Sequence, residues 1–300
     1  MSDTSKYTFE DCTVVKAFTN FYYIVPDYQR EYVWKDNDQV ARLLADIYEA
    51  YDIDPEKEYF IGTTVAFNNK GVAELIDGQQ RTTTLFLILC AFEKLYKEYG
   101  EDSAPIQDFI AKKVHIKGKT EFKFRLELQY PEASEILQDI YKGIDIKVEK
   151  LSLSSARLKR AYDFIVESLR DRIKGSVDVL CSLCDFFEHR VKFIQIMTPD
   201  INDALKIFET INARGVGLTP MDLLKNLIFR QVERSEFDKL KSLWQRLVKI
   251  IENNGEKPLR FLRYFIISNY PEVSQGSSSS ARMWYARMKS TNGLLRTMSV

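Results

Sequence analysis

Ala73-Glu74-Leu75-Ile76-Asp77-Gly78-Gln79-Gln80-Arg81-Thr82-Thr83-Thr84-Leu85-Phe86-Leu87-Ile88-Leu89 decides how the chain folds. Ala73 to Ile76 reads as a short apolar strand. From Thr82 to Tyr99 the apolar residues Leu85, Phe86, Leu87, Ile88, Leu89, Phe92, Leu95 and Tyr96 surround nearly the whole helical circumference, so this helix belongs inside the fold rather than on its surface. Strand and buried helix are joined by a polar string with a glycine at its start.

Upstream, Ile61 to Phe67 reads as a second strand, and Asn68-Asn69-Lys70-Gly71 supplies the turn chemistry that makes the two strands a hairpin. Phe21-Tyr22-Tyr23-Ile24-Val25 is an aromatic and β-branched run closed by Pro26, which ends a strand. Asp36 is placed as an N-cap with Gln39 three residues on, ahead of Val40, Leu43, Leu44, Ile47, Tyr48 and Tyr51 at helical spacing. The first hundred residues therefore alternate strand and helix around a sheet.

Beyond Gly100 the pattern turns helical, over Ala156 to Leu169, Val177 to Phe187, Ile201 to Ile211, Pro220 to Val232, Phe237 to Ile251 and Leu259 to Asn269. The exception is Phe122 to Leu128, whose clean alternation predicts a half-exposed strand. The expected fold is α+β: a small mixed sheet with helices in residues 1–100, a mainly α-helical subdomain in 101–270, and a linker with the start of an incomplete C-terminal region in 271–300. The last residues are too few to fold alone, which suggests a piece of something longer.

Basic and acidic residues balance at 43 each, so nucleic acid would have to be held by a local patch rather than a global positive field. Lys112, Lys113, Lys117, Lys119 and Lys123 form such a cluster, readable as a phosphate-binding patch or as a solvated face. The longest apolar run, Leu85 to Phe92, is too short to span a bilayer, and a cytoplasmic protein with no membrane contact is expected. Cys12, Cys90, Cys181 and Cys184 do not form a secreted-domain framework, and reduced thiols are expected. Cys181-x-x-Cys184 near His189 is set aside as a zinc site, because both cysteines fall among apolar residues at helical spacing and no second pair exists. Neither a P-loop nor a Gly-x-Ser-x-Gly elbow occurs.

The Asp77-to-Thr84 junction carries the sharpest chemistry. A strand passing straight into a helix leaves the first-turn amides unpaired and aims the positive helix end at whatever lies there, which favours an anion. Gly78 lets a phosphate approach, Arg81 offers a bidentate fork, and Thr82 and Thr83 add hydroxyls; Asp77 can hold a metal ion, orient a water or lock Arg81. Residue types alone leave the other reading open, in which Asp77 caps the helix, Gly78 turns the chain and Arg81 pairs with a carboxylate. Pro26-Asp27-Tyr28-Gln29-Arg30-Glu31-Tyr32-Val33-Trp34 is a loop rich in aromatics with an arginine, suited to a base, a sugar or a phosphodiester, or else to plugging the core edge. Between Phe208 and Asn226 a helix stops at glycines and another starts with Thr219 as N-cap and Pro220 behind it, which leaves Asn212, Arg214, Asp222, Lys225 and Asn226 without a structural explanation.

These three strings, in this order, resemble the signature blocks of the GmrSD-type restriction N-terminal domain family over about residues 10 to 230. The resemblance implies a ParB/sulfiredoxin-like first hundred residues followed by a helical subdomain, in a family whose members bind, and in several cases hydrolyse, nucleoside triphosphates and act in the restriction of modified or foreign DNA, including phage defence. It implies a nucleotide site of Asp77, Gly78, Gln79, Gln80 and Arg81; charge stabilisation then leads us to expect Thr82, Thr83 and Arg30 on the phosphates, Mg²⁺ at Asp77, and Gln79 or Gln80 orienting the attacking water. Tyr28 and Gln29 would line the same pocket or touch DNA, with Asn212, Arg214 and Lys225 as further DNA or ligand contacts. Many relatives carry an HNH-type nuclease domain, C-terminal or as a separate partner; with only His115 and His189 here, DNA cleavage is not expected of these 300 residues. Two rival readings stand beside the triphosphatase: a non-enzymatic ParB-like DNA-binding module switched by nucleotide occupancy, and a protein-interaction scaffold. A homo-oligomer is left open.

Overall fold

The computed structural model describes residues 7–27, 29–69, 71–116, 119–130, 132–144, 146–212 and 236–269. Its chain divides into two compact units, Met1–Asp200 and Ile201–Val300.

Unit 1 is a mixed α+β structure. Its strands are β1 (Thr8–Thr13), β2 (Tyr23–Val25), β3 (Tyr59–Asn69), β4 (Val72–Asp77), β5 (Ala111–Ile116), β6 (Lys119–Phe124), β7 (Leu126–Leu128) and β8 (Val191–Thr198). Its helices are α1 (Val14–Asn20), α2 (Ala41–Ile53), α3 (Gln79–Tyr99), α4 (Ala104–Ile110), α5 (Ala133–Lys142), α6 (Leu153–Ile173) and α7 (Val177–His189). Six strands form one sheet in the order β1-β8-β3-β4-β2-β7, while β5 and β6 form a separate ribbon. In this sheet β1/β8 and β3/β4 are antiparallel, while β8/β3, β4/β2 and β2/β7 are parallel.

The hairpin of β3 and β4 closes as its turn residues dictate, with the Gly71 amide donating to Asn68 Oδ1 at 2.8 Å. The helix read from Thr82 begins three residues earlier, at Gln79, and stops at Gly100, whose left-handed φ of +78° only glycine adopts without strain. Along α3 nearly every residue to Leu95 is buried, and the helix packs on α4, α6 and α7 as the centre of the core. That placement follows from its all-round apolar surface.

Two local expectations differ from the structure. Asp36 is not the N-cap: Lys35 takes that position, a π-helical turn spans Asp36–Val40, and Gln39 Oε1 accepts the Lys35 amide at 2.9 Å. Phe122 to Leu128 is two strands, because Arg125 turns inward between them, its Nε reaching the Asp108 carbonyl and its guanidinium lying over the Tyr22 ring. The β1 and β8 strands were not anticipated. The sheet also draws β7 and β8, near its two ends, from beyond residue 100.

In unit 2 the described elements are α8 (Ile201–Asn212), α9 (Phe237–Asn253) and α10 (Pro258–Asn269), of which α9 and α10 pack together. The helix expected over 220–232 and the linker expected over 271–300 lie outside the described residues. No described helix is long and apolar enough to cross a membrane.

Candidate functional site

Asp77 ends β4, and Gly78 caps α3 in the left-handed conformation at φ +83°, with no side-chain hydrogen bond to the first turn. The cap position therefore falls to Gly78 and not to Asp77. Thr82 is the first amide to bond back into the helix, to the Gly78 carbonyl at 2.9 Å, so the amides of Gln79, Gln80 and Arg81 stand at the positive end of a long helix. A side chain at position 78 has no room: a Cβ there would lie 2.8 Å from Thr64 Oγ1. β3 thus presses directly against the junction.

Arg81 is half-buried, and its Nη1 donates to the Thr63 carbonyl at 3.0 Å. The guanidinium lies flat against Gly62, where a Cβ would come within 3.1 to 3.2 Å of Nη1, Cζ and Nη2. Gly62 sits at φ +112° where the β3/β8 register shifts, so an irregularity in the strand makes the bed for the arginine. Burial pushes the Arg81 guanidinium below its ordinary value, and the nearby Asp77 carboxylate pulls it back up. A desolvated cation in this position is stabilised by any further anion that reaches it.

Gln79 and Gln80 are both buried, and their side chains do different things. Gln80 Oε1 accepts the Val33 amide at 2.7 Å and the Trp34 amide at 3.4 Å, while its Nε2 donates to the Glu31 carbonyl at 3.0 Å. One amide side chain thereby holds the backbone of Glu31 to Trp34 against α3. Tyr32 adds a second tie, its buried hydroxyl 2.8 Å from Thr84 Oγ1, which itself donates to the Gln80 carbonyl. Gln79 Oε1, by contrast, is buried with no hydrogen-bond partner. An orphaned acceptor of this kind costs free energy unless a ligand, ion or water supplies a donor.

The loop and the helix start, 46 to 49 residues apart in sequence, are therefore one structural object. Gln29 closes a turn onto the Pro26 carbonyl, and Arg30 is exposed on the loop that Gln80 holds. Thr82 and Thr83 are buried in the first turns of α3. Tyr28, Arg214, Lys225, Asp222 and Asn226 lie outside the described residues, and Asn212 is the last residue of α8. The sequence reading missed Gly62, Thr63 and Thr64 of β3, which shape the junction from behind. An isolated glycine inside a strand pattern was the available signal, since it marks a bulge or a close backbone approach.

Cys184 is buried, Cys181 half-buried, and both thiols are free. Among the described residues no group of three or more His, Cys, Asp or Glu could hold a metal ion. A site for a divalent ion would then need oxygens from a bound ligand beside a single carboxylate.

A mixed sheet with a buried helix launched from a glycine-capped acidic strand end defines an α+β module. Residues 13–229 match the family described as GmrSD restriction endonuclease, N-terminal domain, and the chain belongs to that family. It is accordingly a module of a restriction system, whose substrate is DNA. No curated protein matches the chain.

Proposed function

We propose that this module binds and hydrolyses a nucleoside triphosphate and uses it to sense or regulate restriction of modified or foreign DNA, as in phage defence. The observation that carries the reading is the α3 start: the positive end of a long buried helix, a half-buried arginine beside an aspartate, and an orphaned Gln79 acceptor, all at one glycine-capped turn. Phosphate oxygens suit the amides and Arg81, because backbone N–H groups at a helix start and a desolvated guanidinium both gain most from negative charge. Exposed Arg30 supplies a second cation from the loop that Gln80 fixes beside the helix.

Asp77 is the carboxylate that would hold Mg²⁺, which takes one or two carboxylates together with phosphate oxygens and supplies charge neutralisation. Gln79 is the residue proposed to orient the attacking water, because its acceptor is unused. Gln80 is proposed to position the loop instead, since both ends of its amide are engaged with the backbone.

The test is a thermal-shift panel of nucleoside triphosphates with and without Mg²⁺, run together with phosphate release. A ligand that binds only the folded state must raise the midpoint. The wild-type chain should respond to at least one triphosphate, and Asp77→Asn and Gln79→Ala should bind with strongly reduced release. No response to any common triphosphate in the millimolar range defeats the proposal; binding without release supports the nucleotide-switched, non-enzymatic reading.

A further inference from the structure

We infer that the β5–β6 ribbon is a duplex-DNA contact, with Lys112, Lys113 and Lys123 set against the phosphate backbone. The ribbon stands outside the main sheet, and its strands pair antiparallel from Ala111↔Phe124 to Ile116↔Lys119. Within it Lys112 lies directly opposite Lys123. Like charges facing each other across a ladder destabilise it, and an anion bound above the two lysines relieves that cost.

Three further observations point the same way. Lys112, Lys113 and Lys123 are exposed, and none has a carboxylate partner among the described residues, whereas Lys97, Lys159, Lys192 and Lys206 are each paired. Glu121 is the one described acid on the ribbon, opposite Val114 rather than opposite a lysine. At the ribbon's root, Lys123 and Arg125 both lie on the Tyr22 ring, at 4.0 and 4.4 Å from its centroid. This stack borders a groove of about 390 Å³ whose walls include Phe122, Phe124 and Lys123.

Shape and charge together select duplex DNA. A two-stranded ribbon fits the major groove, whose rims are lines of phosphates, and exposed lysines without protein partners supply the counter-charge that those phosphates need. The neutral total charge does not oppose this, since a phosphate contact is local. The inference does not depend on the nucleotide reading: the ribbon and the α3 start share none of the residues named in either proposal.

The experiment measures the affinity of the chain for a fluorescent DNA duplex as a function of salt, beside the single strand of the same sequence. Each lysine that neutralises a phosphate contributes about one unit to the slope of log affinity against log salt. The triple variant Lys112→Ala, Lys113→Ala, Lys123→Ala should therefore lose about three units of slope, which corresponds to about a 60-fold smaller affinity change over a fourfold salt range. Because Lys123 also stacks on Tyr22, the double variant Lys112→Ala, Lys113→Ala serves as the check on folding, and should lose about two units with an unchanged thermal midpoint. Slopes equal to wild type in both variants overturn the inference, as does a wild-type chain that binds only the single strand or no DNA. A chain that binds duplex through these lysines yet responds to no triphosphate leaves this inference standing and removes the nucleotide proposal alone.

Discussion

Replacing Gln80 by Ala tests whether the loop and the helix start are one object. Gln80 makes two good hydrogen bonds, with the Val33 amide at 2.7 Å and the Glu31 carbonyl at 3.0 Å; its 3.4 Å contact with Trp34 adds little. Alanine strands one donor and one acceptor in a part-buried setting, and each stranded group costs about 1–3 kcal/mol, so a loss of about 2–4 kcal/mol is expected, discounted at its upper end because water reaches part of the loop. In a unit of this size that lowers the thermal midpoint by roughly 5–15 °C. The loop bears its own reporter, since exposed Arg30 and Lys35 flank the tethered backbone and are tryptic sites. Gln80→Ala should accelerate cleavage at both, well below the unfolding temperature.

Gln80→Glu refines the same reasoning. It keeps an acceptor for Val33 but sets a carboxylate oxygen against the Glu31 carbonyl, so it should fall between wild type and alanine near neutral pH. The protonated acid regains a donor, so the folded state raises that carboxyl's pKa. Its stabilising contribution is then present in full below the unfolded carboxyl value of about 4.3 and disappears as pH rises through the folded one. A loss under about 1 kcal/mol for Gln80→Ala with unaltered tryptic rates at Arg30 and Lys35 would refute the bracket.

Gly78→Ala combines a left-handed backbone with a Cβ 2.8 Å from Thr64 Oγ1, and should cost about 2–4 kcal/mol in chemical denaturation, partly recovered in a Thr64→Ala background. At Gly62 the Cβ would instead press the Arg81 guanidinium at 3.1 to 3.2 Å; Gly62→Ala should weaken the nucleotide-induced thermal shift without removing any charge, and an undiminished shift would detach Arg81 from the site. Burial raises the Cys12 thiol from 9.0 to about 11, so the folded state keeps a proton that the unfolded chain gives up. Unfolded chains then bind fewer protons in that window, so stability contributed by Cys12 is intact below pH 9 and falls as pH climbs to about 11; Cys12→Ala should flatten the alkaline slope of the unfolding free energy.

Much of the central architecture was legible because it is local. Asn68 and Gly71 announce the β3/β4 turn, and the apolar ring around α3 announces its burial, since both depend on residues a few positions apart. β1 and β8 were invisible for the opposite reason. They pair with each other and β8 slots beside β3, contacts that span more than a hundred residues, and Val191 to Thr198 carries Lys192 and Gln195 on a strand whose inner positions only the sheet defines. Arg125 likewise broke an apparently continuous alternation, because its inward turn depends on Asp108 and Tyr22, neither of which its own segment contains.

At the candidate site, residue identities were legible and their division of labour was not. Two adjacent glutamines look equivalent in sequence, yet successive helical positions point about 100° apart, so the fold must give them different surroundings. Gln80 faces the Glu31-to-Trp34 backbone and is used up there; Gln79 faces away and keeps a buried acceptor unused. The same logic separates Arg81 from the helix axis and lays it on β3 at Gly62. Each polar residue of the junction thus answers to a different neighbour, one to the loop, one to the strand and one to nothing within the described protein. A ligand that supplied a donor to Gln79 would touch the same first turn that Gln80 and Arg81 fix from two sides, and its arrival would be felt at once by the loop bearing Arg30 and by the sheet. That coupling is what the proposed nucleotide dependence requires of this turn.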